Sequence, residues 1–365
     1  MNEPIASPQT FDELRTIMKS EASVLPVGNR TKQPLAIDPQ ASVISVREMK
    51  GILEYEPSEF TFTAYAGTTI REVNQALRQR QQYLPFDPML VDAGATLGGS
   101  VGAGLSGPGR FRYGGLRDFI LGVKFLSGDG EVINSGGKVV KNAAGFDIPK
   151  LLTGSMGRLG VMVEITFKVF PMPGCSQTLA VACDSLETAM QRMSVAASSS
   201  WELDAIDYRP AAKSIFLRVA GPENVNQILV NKIIDLWGAD VTELSNGAGL
   251  WQSVTELQWA QESRPLAIKV PIHRSGMGPL VDLASQRTGA DLHFSAAGAV
   301  AWLLCESQED VDHLDRVLVE NEVAGLVIRG APARPHLGRW VRTEISLAVK
   351  QAMDPISKFP RLFHC

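Results

Sequence analysis

Glycine crowds one stretch of the chain at Gly94, Gly98, Gly99, Gly102, Gly104, Gly107, Gly109, Gly114 and Gly115, and returns at Gly154, Gly157 and Gly160. Glycine tolerates positive φ and lets another molecule come close to the backbone. So many glycines weaken regular elements, so the chain must gain something from them. The simplest gain is a wall of bare N–H groups facing a long anion such as a dinucleotide diphosphate. Tight turns in a β-rich domain are the alternative. A second candidate nest lies where an apolar run, Ser23–Val27, meets Gly28-Asn29-Arg30-Thr31. Gly28 and Asn29 both accept left-handed backbone, as a nest or a plain turn requires.

The titratable residues point less sharply. The five histidines are His273, His293, His313, His336 and His364. No His/Glu cluster has ligand spacing, so no metal is expected. His293 reads as a satisfied strand histidine rather than a base. Arg264, Arg274 and Arg329 could hold a carboxylate, but solvated or structural roles suit each of them better. Arg117, Asp118 and Lys124 read as strand-edge or turn charges, and Trp302 as core. No residue is singled out as catalytic. The four cysteines (Cys175, Cys183, Cys305, Cys365) lie far apart. That spacing fits a reducing compartment and offers no iron–sulfur site.

At 365 residues the chain is long enough for two domains. A 45% hydrophobic and 20% charged composition describes a folded protein. The net charge of −4 gives no reason to expect nucleic acid. The start, MNEPIASPQTFDEL, has neither a basic n-region nor an apolar h-region, which argues against a signal peptide. The longest apolar run, near Ala296–Cys305, falls short of the roughly 20 residues that span a bilayer.

The elements that must position the glycines can be read in order. Thr10 and Glu13 form a capping box that opens a helix through Met18. Ser42–Val46 is a strand, Met49–Tyr55 a helical turn or two, and Thr61–Ala66 an alternating strand. Thr69 and Glu72 cap a helix with Ile70, Val73 and Leu77 as its buried stripe. Strands follow at Phe119–Leu126, Glu131–Asn134, Lys138–Val140 and Val161–Val169, the first two joined at Asp129-Gly130. The break at Pro171-Met-Pro-Gly174 marks a domain boundary. Beyond it, strands at Thr178–Cys183, Ala205–Tyr208, Ser214–Val219, Pro265–Ile272, His293–Cys305 and Ala324–Ile328 alternate with helices at Ser185–Met193, Val225–Trp237 and Asp310–Asn321. Val225, Leu229, Ile233 and Leu236 would share the buried face of the second of these helices. Two such rounds make an antiparallel sheet with helices on one face. A last amphipathic helix carries Ile345, Ala348, Val349 and Ala352.

Neither a GxGxxG opening a helix after a first strand nor a Walker A motif is present. Three pieces instead resemble, in order, the PCMH-type FAD-binding domain of the vanillyl-alcohol oxidase family. Pro26–Lys32 is similar to that family's first diphosphate loop, and Ala95-Thr96-Leu97-Gly98-Gly99-Ser100 to its second. Val140–Asp147, followed by Gly154-Ser155-x-Gly157-x-Leu159-Gly160-Val161, resembles its adenine-side segment. Gly104-Leu-Ser-Gly-Pro108, Arg117-Asp-Phe119, Lys141-Asn-Ala-Ala-Gly145 and Met353-Asp-Pro355 further resemble the FAD-binding (E) subunits of bacterial glycolate oxidases. The first loop departs from the family in carrying Asn29-Arg30 after Gly28.

The resemblance implies an α+β architecture. Its parts would be a PCMH-type FAD-binding domain of two α+β subdomains over residues 1–171, an α+β cap with an antiparallel sheet over 174–343, and a helix and tail over 344–365. It implies FAD across the first domain, with the cap over the isoalloxazine. The cofactor residues it implies are Val27, Gly28, Asn29, Arg30, Thr31, Ala95, Thr96, Gly98, Gly99, Ser100, Ala103, Gly104, Gly154, Ser155, Gly157, Gly160 and Val161. No histidine or cysteine falls in the loops, so FAD should be non-covalent. The chemistry implied is oxidation of a small 2-hydroxy acid, glycolate in the closest group, by hydride transfer to flavin. Relatives place a His-x-Gly-Asp-Gly-Asn-x-His stretch near the flavin; His293-Phe-Ser-Ala-Ala-Gly298 lacks its acid and second histidine. Three readings follow: an FAD-binding subunit of a glycolate-oxidising complex, a self-sufficient oxidoreductase on another small 2-hydroxy acid, and a non-catalytic flavin-fold scaffold. The first implies a longer flavoprotein and an iron–sulfur protein as partners. It also implies a cytoplasmic location, attached at most peripherally to the inner face of the membrane.

Overall fold

The computed structural model describes residues 6–32, 40–137, 145–260, 264–286, 289–330 and 335–361. The predicted strand Lys138–Val140, the Lys141–Ala144 motif, His364 and Cys365 lie outside the described residues. Two compact units divide the chain. The first takes residues 1–106, 115–172 and 341–365, and the second 107–114 and 173–340. The C-terminal helix and tail thus join the first unit instead of standing apart, and residues 107–114 leave it.

The chain from the N-terminus to the boundary carries α1 (Phe11–Ser20), β1 (Val24–Val27), β2 (Ser42–Ser45), β3 (Ile52–Glu56), β4 (Thr61–Tyr65), α2 (Ile70–Arg78), β5 (Gln82–Tyr83) and α3 (Leu97–Ala103). After α4 (Arg110–Tyr113), which belongs to the second unit, come β6 (Ile120–Leu126), β7 (Val132–Gly136), α5 (Ile148–Leu152), β8 (Val161–Lys168) and β9 (Phe170–Pro171). β1 and β2 pair in parallel. β3-β4-β8-β6-β7 form a five-stranded antiparallel sheet.

Local signals decide α1 and α2. Thr10 accepts from the Glu13 amide, and Thr69 and Glu72 close a capping box. Ile70, Val73 and Leu77 are the buried stripe of α2. The helical turn expected over Met49–Tyr55 is not formed. Ile52–Glu56 is instead β3, paired with Thr61–Ala64. Cross-strand pairing on a half-buried sheet outweighs the weak helical preference of so short a stretch.

The second unit begins with β10 (Cys175–Ala182), α6 (Leu186–Ser198), β11 (Leu203–Arg209), β12 (Ser214–Gly221), α7 (Glu223–Trp237), β13 (Val241–Glu243) and α8 (Gly247–Thr255). It continues with β14 (Leu266–Pro271), α9 (Met277–Gln286), β15 (Ala290–Ser295), β16 (Val300–Cys305), α10 (Gln308–Glu320), β17 (Ala324–Arg329) and β18 (His336–Gly338). The last helix, α11 (Thr343–Met353), lies in the first unit. One nine-stranded sheet runs β13-β10-β12-β11-β15-β16-β14-β17-β18. Helices α6, α7, α9 and α10 bury Met193, Ile233, Leu280 and Leu314 in the core on one face. On the other face α8 lays Trp251 against Ala205 and Phe216. The face of α7 differs from expectation: Asn226, Val230 and Ile233 are buried, while Val225 and Leu236 are more than half exposed.

The β15–β16 turn is strained. Ala296 and Ala297 both have φ near +54°, a region that disfavours a side chain at roughly 1–2 kcal/mol each. The carboxylate of Asp207, fully buried on β11, holds the turn. It accepts from the Ala296 amide (3.2 Å), Ser295 Oγ (2.6 Å) and His293 Nε2 (2.8 Å). His293 is therefore a structural partner of Asp207. Burial pushes its pKa below the ordinary histidine value, with the Asp207 carboxylate opposing.

Two outcomes follow for stability. Asp207→Ala leaves three donors without their acceptor, and denaturant unfolding should show a loss of about 3–5 kcal/mol. A histidine held below its unfolded pKa binds fewer protons folded than unfolded. Its contribution is complete above the unfolded value near 6.5 and is lost as pH falls below it. Unfolding free energy should therefore decline between pH 7 and 5.5, and decline less in His293→Gln.

Candidate functional site

Three backbone segments of the first unit come so close that side chains do not fit between them. The loop after β1 meets the start of α3: a Cβ on Gly28 would lie 2.2 Å from Thr96 Oγ1. Asn29 Nδ2 donates to the Gly94 carbonyl at 2.9 Å, tying the same loop to the segment before α3. β1 also meets the turn before β8, where a Cβ on Gly157 would strike Pro26 Cγ at 2.8 Å. α3 meets that turn in its own right. Gly104 packs on Gly154, and the amides of Gly154 and Met156 donate to the carbonyls of Val101 and Gly102, both at 2.9 Å.

The middle of the glycine stretch, Leu97–Ala103, is thus a helix and not a wall of bare amides. Its amides are already engaged. Leu97 donates to the Thr68 carbonyl, Gly98 to Ala66 and Ser100 to Thr96, while Gly99 donates to the capping Thr96 Oγ1. Gly98 is glycine because a Cβ would sit 2.8 Å from that of Ala66 on the neighbouring chain segment. Gly160 is glycine because a Cβ would lie 2.5 Å from the Phe125 ring. Ala95 is buried and exchanges hydrogen bonds with Leu90 and Ile70. Val161 is buried and pairs with Leu126. These four serve the scaffold.

The donors left for a ligand are different ones. Among the described residues no acceptor meets the backbone N–H groups of Gly28, Asn29 and Thr31. Arg30 between them has φ +55°, so the left-handed backbone of this loop falls on Arg30 and not on Gly28 or Asn29 as expected. The hydroxyls of Ser100 and Ser155 are buried and have no hydrogen-bond partner among the described residues. Such hydroxyls cost about 1–3 kcal/mol each when unsatisfied. Gly154, at φ +81°, has open space where a side chain would stand, and Gly99 meets only Thr96 Oγ1. Val27, Thr31, Ala103 and Gly104 are half-buried on these segments. The convergence therefore gathers Gly28–Thr31, Thr96, Gly99, Ser100, Gly104, Gly154, Ser155 and Gly157.

The charged residues of the second unit are mostly engaged. Arg264 pairs with Asp291 at 3.0 Å and Glu306 at 2.7 Å. Arg329 donates to the carbonyls of Leu257 and Arg264. Trp302 is core. Sequence reasoning missed Lys269 on β14, whose pKa burial pushes down to about 8, with Arg110 adding to the shift. It also missed Asp207, which no spacing rule links to His293. Among the described residues no group of three or more His, Cys, Asp or Glu could hold a metal. Among them, too, no helix is long and apolar enough to cross a membrane.

Residues 3–136 match the FAD binding domain family. The chain is 29% identical over 306 residues to the glycolate oxidase subunit GlcE of Escherichia coli, covering 83% of this chain and 82% of that one. It is 27% identical over 200 residues to the glycolate oxidase subunit GlcD of Bacillus subtilis, covering 53% of this chain and 42% of that one. The chain thus spans most of the first relative and under half of the second. Among solved structures, alkyldihydroxyacetonephosphate synthase superposes with a TM-score of 0.71 at 14% identity, covering 98% of this chain and 77% of that one. That likeness speaks to the fold, an α+β architecture of PCMH type. FAD is the cofactor, and the unsatisfied amides and hydroxyls at the convergence fit its diphosphate.

The orphaned hydroxyls make a signed forecast. In Ser100→Ala and Ser155→Ala the FAD-free protein should melt at the same temperature or higher, while FAD affinity falls up to tenfold, about 1.4 kcal/mol. A lower melting temperature with unchanged affinity would show that the hydroxyls serve the scaffold.

Proposed function

We propose that the chain is a member of the PCMH-type FAD-binding family and the FAD-binding subunit of a complex that oxidises glycolate to glyoxylate. The observation that carries this reading is its similarity to a glycolate oxidase subunit along more than four fifths of both chains. When bound, FAD supplies the acceptor for the hydride leaving the carbon that bears the hydroxyl. The amides of Gly28, Asn29 and Thr31 and the hydroxyls of Ser100 and Ser155 would hold its diphosphate, and the glycines at 99 and 154 would let it approach the backbone.

The groups that would take the hydroxyl proton and hold the substrate carboxylate are less complete in this chain. His293, the echo of the family's histidine stretch, is sealed from solvent and committed to Asp207. Arg264 and Arg329 are committed to carboxylates and carbonyls. Reassigning any of them would leave a buried partner unsatisfied. This supports a division of labour in which a longer flavoprotein completes the chemistry and an iron–sulfur protein takes the electrons. The rival reading is a self-sufficient oxidoreductase on another small 2-hydroxy acid.

The two readings separate in one assay. The chain is purified alone, saturated with FAD, and given glycolate or D-lactate with an artificial electron acceptor. The subunit reading expects negligible turnover that partner subunits restore. Turnover by the lone chain at ordinary enzyme rates, on the order of 1–10³ per second, would overturn it.

A further inference from the structure

We propose that the C-terminal segment from α11 to Phe359 is a strap that positions the FAD site, with Lys350 and Asp354 as its positioning residues. The proposal rests on the FAD reading above. The sequence makes α11 an ordinary amphipathic helix with Ile345, Ala348, Val349 and Ala352 inward. The structure instead exposes Ile345 by 55% and buries Lys350. A lysine is seldom buried unless its ammonium is fully engaged. Lys350 Nζ donates to the Arg158 carbonyl at 2.8 Å and to the Phe359 carbonyl at 2.8 Å, and pairs with the Asp354 carboxylate. Asp354, also buried, accepts from the amides of Lys358 and Phe359, both at 2.9 Å. Burial lowers the Lys350 pKa and the Asp354 carboxylate opposes that shift.

This network is placed where it touches two of the three segments that converge on the cofactor. At one end it holds the carbonyl of Arg158, in the turn that carries Ser155 and Gly157. Arg158 is itself buried, with its Nε donating to the Ser155 carbonyl at 2.9 Å, and burial pushes its pKa down to about 10. At the other end the Lys358 carbonyl accepts from the Val24 amide at 2.8 Å, and Lys358 Nζ donates to the Glu21 carbonyl. Val24 is the first residue of β1, which leads directly into Gly28. The strap therefore fixes β1 and the Ser155–Arg158 turn to one another at the side where Gly157 already rests on Pro26. It also passes against the β6–β7 turn, where a Cβ on Gly128 would meet Asp354 Oδ1 at 2.5 Å.

A ligand that needs both segments in register must favour the state in which the strap is docked. By linkage, the docked strap must raise the ligand's affinity by the same factor. A merely structural tail would add stability without this reciprocity.

The test uses the full chain and FAD itself. Binding is followed by quenching of flavin fluorescence, and amide hydrogen exchange is compared with and without FAD. The expected result is at least tenfold slower exchange at Val24, Lys358 and Phe359 in the FAD-bound chain, alongside slowing at Gly28–Thr31. Slowing at Gly28–Thr31 with none at Lys358 and Phe359 would overturn the strap while leaving the FAD reading intact. No quenching and no slowing anywhere would sink both. Lys350→Met should weaken FAD binding at least tenfold, and a Kd within twofold of the unsubstituted chain overturns the proposal. Should that variant not fold, the exchange pattern of the unsubstituted chain decides.

Discussion

Close approach of three backbones is the constraint on which the first unit depends. Gly28 lies on Thr96 and Gly157 on Pro26, with no room for a Cβ at either, and Gly104 packs tightly on Gly154. The approach fixes what remains exposed to a ligand. Most amides of α3 are spent on Thr68, Ala66 and Thr96. Among the described residues, the donors left without an acceptor are the amides of Gly28, Asn29 and Thr31 and the hydroxyls of Ser100 and Ser155. Glycine here works first as a packing residue and only second as a ligand residue, and the two uses depend on each other. Without the helix held tightly by Gly98 against Ala66, Ser100 would not be fixed at the convergence.

The sequence is legible where the signal is local. Capping at Thr10 and Thr69 needs only residues three apart, and both caps form. The strands read over Thr61–Ala66 and Val161–Val169 both form as central strands of one sheet, though the second is buried at six of its eight positions instead of alternately. Where an element is apolar all round, periodicity cannot choose its face. Helix α7 carries Val225, Ile228, Leu229, Val230, Ile233, Ile234 and Leu236, so its buried side is chosen by the sheet beneath it, which takes Val230 and Ile233. The same holds for α11, where a buried ion pair outranks the apolar stripe. A lysine and an aspartate four residues apart look like a surface pair in any sequence.

The candidate site shows the same division. The three motifs were legible as motifs, and their convergence places Gly28, Thr96, Ser100, Gly104, Gly154, Ser155 and Gly157 together. What could not be read is which glycine is barred from a side chain by protein and which is left open. Gly98 and Gly160 abut Ala66 and Phe125, which are distant in sequence. Likewise His293 stands beside a degenerate motif, but its partner Asp207 arrives from β11, whose place beside β15 is a matter of sheet order. Long-range pairing of this kind leaves no spacing to find.

A site built from amides and hydroxyls has a particular energetic character. No fixed ion pair prepays the binding of the diphosphate, so affinity depends on how well the segments are held before the ligand arrives. Among the described residues, the Ser100 and Ser155 hydroxyls and the amides of Gly28, Asn29 and Thr31 have no partner, and a bound dinucleotide could satisfy them. Binding to the folded chain alone stabilises it by RT ln(1 + [L]/Kd), about 2.7 kcal/mol at a hundredfold excess over Kd. That is a sizeable share of the 5–15 kcal/mol by which a domain is typically stable. The second unit differs: its large sheet is covered by its own helices, and Asp207, Arg264 and Asp204 find partners within it, while Arg209 Nε and Nη2 are buried without a hydrogen-bond partner among the described residues. Arg112 and Tyr113 donate to Asp204 at 3.0 and 3.1 Å, so even the excursion 107–114 is neutralised within that unit.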